Sequence, residues 1–293
     1  MFEDIVRYGA KWETLGNPID LYYPNPHSLL HRHRAIFPIA VLLPGFGVER
    51  IYYSHYARQI ARYGFVVVVP DGITAIRSRT ELFDKLERVP NALAAISVDL
   101  PKAGTALADL LDLGKLVLLG HSHGGAIGLD AIRGARNFPP SSDYRIPEVL
   151  VGAVFFGTFL WEDSHNLPID RSRIPIASIA GSSDSLIPPH EILETYEQIQ
   201  NSPKAYIMVK GANHYGITNR NNPPGAPPEL RKSTIEQAVA IETIARWSAL
   251  FLRAYALGDR MACQLYQRGI KLDPNVKVLT TPNCQTVTQS GDF

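Results

Sequence analysis

Lys115-Leu116-Val117-Leu118-Leu119-Gly120-His121-Ser122-His123-Gly124-Gly125 runs an apolar stretch into a serine framed by glycines. A buried strand that enters a G-x-S-x-G turn and leaves it as a helix is the setting of a nucleophile elbow. Such a turn strains the serine backbone, tolerates only glycine-sized neighbours, and lifts the hydroxyl above the carboxyl edge of the sheet. Ser122 is therefore the candidate nucleophile. The competing reading is a small-residue turn that happens to contain a serine, and the partners found downstream decide between them.

Outward from the elbow, short apolar runs alternate with helical patterns. Ile39–Leu43 reads as a buried strand ending in Pro44-Gly45-Phe46-Gly47, and Arg50–Tyr63 as a helix stopped by Gly64. Phe65–Val69 is a second buried strand. Residues 92–112 read as a helix leading into the strand 115–119, and Ala126–Ile132 continues the helix behind the elbow. Val149–Phe156, Ile176–Ala180 and Ala205–Val209 are further strands. Ile235, Val239, Ile244, Trp247, Phe251 and Ala254 recur at roughly helical spacing, which predicts a closing helix over 229–256. Continuous apolar strands alternating with helices predict an α/β fold with a mostly parallel central β-sheet flanked by helices. The proline-bearing first 36 residues fit antiparallel edge strands. Residues 1–270 read as a single domain and 271–293 as a polar C-terminal tail.

A serine hydroxyl needs a base to take its proton, and the base needs a group to orient it. In a doubly wound sheet such groups sit beyond the carboxyl ends of strands. Asp184 follows the strand 176–180 and His214 follows 205–209. We read Ser122 as nucleophile, His214 as general base and then acid, and Asp184 as the ionised orienter. Either residue alone would be an ordinary turn former, and their joint placement makes the argument. Asp71 follows a strand that precedes the serine, and Asp170 precedes its strand, so both fit less well. His121 and His123 flank the serine with side chains expected to point away from the hydroxyl. As a metal pair they lack a third ligand at a convincing spacing, so neither metal nor cofactor is expected. The developing oxyanion calls for two donors. The backbone N–H of His123 is one and that of Phe46, in its flexible Gly45-Phe46-Gly47 loop, is the other.

Composition bounds the alternatives. The 293 residues carry a net charge of +1, which gives no electrostatic case for nucleic acid. His31-Arg32-His33-Arg34 is basic but reads as a solvated turn. No apolar run is long enough to cross a membrane. Met1-Phe2-Glu3-Asp4 has no apolar leader, which predicts an intracellular protein with reduced thiols, or a secreted one if a leader has been removed. Cys263 and Cys284 leave both a disulfide and free thiols open.

Pro44-Gly45-Phe46, Gly120–Gly125, Asp184 and His214, in the order Ser, Asp, His, resemble the α/β-hydrolase superfamily over nearly the whole chain. Within it the chain is similar to the lidless branch of chlorophyllases and cutinase-like polyester hydrolases. Tyr52–Pro70 looks like the corresponding helix–strand segment of chlorophyllases. Trp161 stands where the polyester hydrolases carry a substrate-flanking tryptophan, and Trp247 with Gly258-Asp259-Arg260 is similar to their closing helix. The resemblance implies a serine carboxylic-ester hydrolase.

Residues 157–175 are too few for a helical cap, which predicts an open cleft. Phe46, Phe159, Trp161, Leu186, Ile187 and Tyr215 would supply an apolar rim, although each would serve equally in a core. The partner expected is a hydrophobic small-molecule ester, chlorophyll's phytyl ester first. Polyester or short-chain esters come next, and peripheral contact with a lipid or pigment-containing membrane is compatible with the first. An acyltransferase would use the same site, and a catalytically silent ligand-binding relative would keep the fold without the chemistry.

Overall fold

Branched apolar residues that repeat without polar interruption can be buried on both faces only in the middle of a covered sheet. A computed structural model places the runs accordingly, describing residues 1–11, 18–25, 36–70, 110–133, 146–160, 168–170, 172–200 and 202–283. Among the described residues the strands are β1 (Ile5–Lys11), β2 (Pro18–Pro24), β3 (Phe37–Leu43), β4 (Val66–Pro70) and β5 (Leu111–His121). They continue with β6 (Leu150–Phe156), β7 (Ile176–Gly181), β8 (Lys204–Val209) and β9 (Val276–Thr280). One sheet holds them in the order β1-β2-β4-β3-β5-β6-β7-β8-β9. The strands from β4 to β8 are parallel, while β1, β2 and β9 run antiparallel at the two edges. This is the α/β architecture expected, and it is consistent with an α/β-hydrolase.

Alternation along β3 divides the core between the two faces. Ala40 and Leu42 join α1 (Ser54–Arg62) and α4 (Gln237–Phe251) through Tyr56, Ile60, Ile244 and Trp247. Ile39, Val41 and Leu43 join Leu129 and Ile132 of α2 (His123–Arg133) on the other side. A smaller cluster fixes α3 (Pro189–Glu197) through Ile192 and Tyr196. Buried positions in α1 fall at 56, 57, 60 and 61, the i, i+3, i+4 stripe of a helix with one covered face. Gly64, at φ 84°, ends that helix in the left-handed conformation glycine takes without strain.

Several elements differ from the sequence expectation for identifiable reasons. Strand β5 begins earlier because Leu111 and Asp112 pair with Phe37 and Pro38 before residues 113–115 bulge out. The helix expected over 92–112 otherwise lies outside the described residues. The closing helix starts at Gln237 rather than 229. Polar groups capture the backbone before it: Asn213 donates to the Arg231 carbonyl, the Thr234 N–H to the Gly211 carbonyl, and the Ser233 hydroxyl to the Ile235 carbonyl. Beyond a π-helical turn over Leu252–Ala256, Asp259 caps α5 (Arg260–Leu272) by accepting from the Ala262 N–H. Part of the presumed tail, Val276–Thr280, is sheet, pairing with β8. Cys263 is disulfide-bonded rather than reduced, and Cys284 lies outside the described residues. No described helix is long and apolar enough to cross a membrane.

Candidate active site

Three loops at the carboxyl ends of β5, β7 and β8 build the site. The turn from β5 into α2 places Ser122 at φ 51°, a left-handed conformation that a residue with a Cβ adopts only under strain. Two glycines allow the approach. A Cβ on Gly120 would stand 2.6 Å from the Gly125 Cα and 2.9 Å from its nitrogen. One on Gly125 would stand 2.0 Å from the Thr158 hydroxyl oxygen. Strand and helix thus meet backbone to backbone directly beneath the serine.

Gly120→Ala tests that arrangement. The colliding atoms belong to the backbone of the first turn of α2 and to the Phe155 ring, 2.8 Å away, so the helix must move. A loss of about 1–3 kcal/mol in stability is expected from overpacking of this kind, read as a lower denaturant midpoint. Turnover should fall by about 100-fold because the serine shifts with the helix.

The loops after β7 and β8 bring Asp184 and His214 together, both buried. His214 Nδ1 and Asp184 Oδ2 are 2.8 Å apart. The other carboxylate oxygen, Oδ1, accepts from the N–H groups of Leu186 at 3.0 Å and Ile187 at 2.8 Å. The carboxylate is therefore fixed by its own loop before it meets the imidazole. Gly157, at φ 58°, backs onto the pair: a Cβ there would lie 3.2 Å from both Asp184 Oδ2 and His214 Nδ1.

Ser122 and His214 line one cavity of about 160 Å³ with Gly45, Phe46, Val48, His121, Leu186, Ile187, Tyr215 and Pro227. Six of the site residues proposed from the sequence, Phe46, Ser122, Leu186, Ile187, His214 and Tyr215, converge there. The Phe46 side chain is 58% exposed at the mouth, and its ring lies 6.1 Å from that of His123. Phe159 is half-buried and lies outside the lining, and Trp161 lies outside the described residues. A larger cavity of about 450 Å³ opens at the other end of the sheet, by Phe37, Asp112 and Met261. It lacks the strained serine and the imidazole–carboxylate pair.

Two residues take parts in the site that the sequence did not reveal. His121 does more than flank the serine: its ring lies 4.8 Å from the His214 ring and 5.9 Å from Phe156. Glu229 directly follows the prolines at 223, 224, 227 and 228 and is buried. Its carboxylate accepts from the Ser185 N–H at 3.0 Å, the Arg231 N–H at 2.7 Å, the His214 N–H at 3.4 Å and the Ser185 hydroxyl. Burial alone would push this carboxyl up, but the donors from Ser185, Arg231 and His214 hold it below the usual carboxylate range. Glu229 thus ties the Asp184 loop to the His214 loop. The sequence signal was slight, a lone acid after Pro227-Pro228.

The family model for chlorophyllases matches residues 21–135. The match runs from β2 through α2, taking in Phe46 and Ser122 and stopping before Asp184 and His214. Chlorophyllases belong to the α/β-hydrolase superfamily, and the likeness points to a serine ester hydrolase of that type. A search of curated proteins gives no match.

Proposed function

We propose that the protein hydrolyses a hydrophobic carboxylic ester through an acyl-enzyme on Ser122, and that the phytyl ester of chlorophyll is the substrate. The observation that carries the reading is Ser122, strained at φ 51°, sharing one cavity with an imidazole whose Nδ1 is held by a buried carboxylate. In this reading Asp184 accepts from Nδ1–H, leaving Nε2 unprotonated to take the Ser122 proton as the oxygen attacks the ester carbonyl. Donors at the Phe46 and His123 N–H groups would hold the oxyanion, each contributing about 3 kcal/mol to the barrier reduction. Collapse expels the alcohol, which receives the proton from His214. Water, deprotonated by the same nitrogen, then attacks the acyl-enzyme and releases the acid.

The substrate follows from the resemblance to chlorophyllases and from the apolar walls of Phe46, Leu186, Ile187 and Tyr215. Residues 157–175 are too short a link for a helical cap, so we read the cleft as open to a bulky ester. The disulfide at Cys263 weighs against a reducing cytosol as the location.

Incubation with detergent-solubilised chlorophyll a, followed by chromatography, is the test. Chlorophyllide and free phytol are the expected products. Intact pigment from protein that still cleaves p-nitrophenyl butyrate would reject the pigment ester and leave a short-chain or polyester hydrolase. Protein inert toward both would reject the hydrolase.

A further inference from the structure

Tyr53 ends the 3₁₀ turn Arg50–Tyr53 and is fully buried, as is His121 at the end of β5. The Gly45 N–H donates to the Tyr53 hydroxyl oxygen at 2.8 Å. That hydroxyl lies 2.8 Å from His121 Nδ1, and His121 Nε2 lies 2.9 Å from the His214 carbonyl oxygen. Both ends of this chain have fixed polarity. A backbone N–H can only donate, so the Tyr53 oxygen accepts from Gly45 and its one proton goes to Nδ1. A carbonyl can only accept, so Nε2 carries the ring proton. His121 is thereby held as the neutral Nε2–H tautomer.

We propose that Tyr53 and His121 are positioning residues, a one-way hydrogen-bond chain that holds the Gly45-Phe46 loop and the His214 loop in register with Ser122. The proposal rests on the ester-hydrolase reading, because it assigns those two loops the oxyanion donor and the base. The chain joins the groups that must act together when the tetrahedral intermediate forms. Gly45 is part of the fit: a Cβ there would stand 2.8 Å from His121 Nδ1.

Burial suits the chain to this task. It holds the His121 imidazole well below the ordinary histidine range, and any positive charge on the facing His214 acts in the same direction. It also raises the Tyr53 phenol far above its usual range. Among the described residues, the other titratable ring facing His121 is Tyr215, at 6.1 Å, itself pushed up to about 12. At neutral pH none of these neighbours places a cation against His214, which must become positive during the reaction.

Histidine ¹⁵N spectra of the whole protein, with kinetics on p-nitrophenyl butyrate, test this without needing chlorophyll. In the wild type, His121 is expected to show one neutral tautomer, protonated on Nε2 and unchanged from about pH 5 to 9. A proton on Nδ1, or titration in that range, would overturn the chain. Tyr53→Phe removes the hydroxyl while keeping the ring. His121→Phe removes both ring nitrogens and keeps an aromatic ring against His214, giving a second route if the first variant folds poorly. Each is expected to lower kcat by about 10- to 100-fold, with KM within about twofold. The double variant should fall no further than the worse single one, since both break one chain. Unchanged kcat in a folded Tyr53→Phe, or losses that multiply, would overturn the positioning role alone. A wild type inert on esters, its His121 tautomer intact, would overturn the ester-hydrolase reading and take the positioning role with it.

Discussion

Ser122→Ala is expected to lower kcat by about 10⁶-fold with no loss of folded protein. Alanine keeps the Cβ, so the backbone strain at φ 51° is unchanged. The elbow is held by groups the substitution leaves in place: the Ser122 N–H donates to Phe156, its carbonyl accepts from the Ala126 N–H, and the Thr158 hydroxyl donates to the same carbonyl. Thermal melts should therefore superimpose while ester cleavage and fluorophosphonate labelling disappear. Ser122→Gly sharpens the test. It would abolish turnover equally but relieve the left-handed strain, worth about 1–2 kcal/mol, against a somewhat smaller entropic cost of glycine. A variant at least as stable as the wild type, and inactive, is the signature of a residue held in a costly conformation for its chemistry. Appreciable turnover in Ser122→Ala would show that the nucleophile lies elsewhere.

How much of this was open to sequence reasoning depends on the range of the interactions involved. The parallel strands were legible because burial on both faces demands unbroken apolar runs, as in Val66-Val67-Val68-Val69. The elbow was legible because its glycines answer to collisions a few residues away, Gly120 against Gly125. Asp184 and His214 were found from their places after strands, a topological rule rather than a contact. What failed was long-range and polar. His121 acquires its part from Tyr53, 68 positions earlier, and from the carbonyl of His214, 93 positions later. Glu229 acquires its part from Ser185, 44 positions earlier. The late start of α4 has the same origin, since Asn213 and Gly211 take up backbone groups of residues 231 and 234. A helical pattern of apolar residues carries no sign of such competition.

Asp184→Asn is the more searching substitution at the acid, because the surroundings dictate how the amide must sit. Oδ1 of Asp184 accepts from the N–H groups of Leu186 and Ile187. An asparagine keeps both bonds only with its oxygen in that position, which turns its NH₂ group toward His214 Nδ1. An amide donor there forces Nδ1 to accept, and the ring proton moves to Nε2, the nitrogen that must receive the serine proton. Turnover is expected to fall by about 10⁴-fold in a protein of nearly unchanged shape and stability. The tautomer is directly observable, as the ¹⁵N signature of His214 should switch from Nδ1–H to Nε2–H. The alternative orientation would bring the NH₂ group of a buried side chain against two backbone donors, leaving at least one of them unsatisfied at a cost of about 1–3 kcal/mol. Near-wild-type activity would therefore mean that another carboxylate orients the imidazole. Glu229, already bonded to the His214 N–H, would be the first to replace.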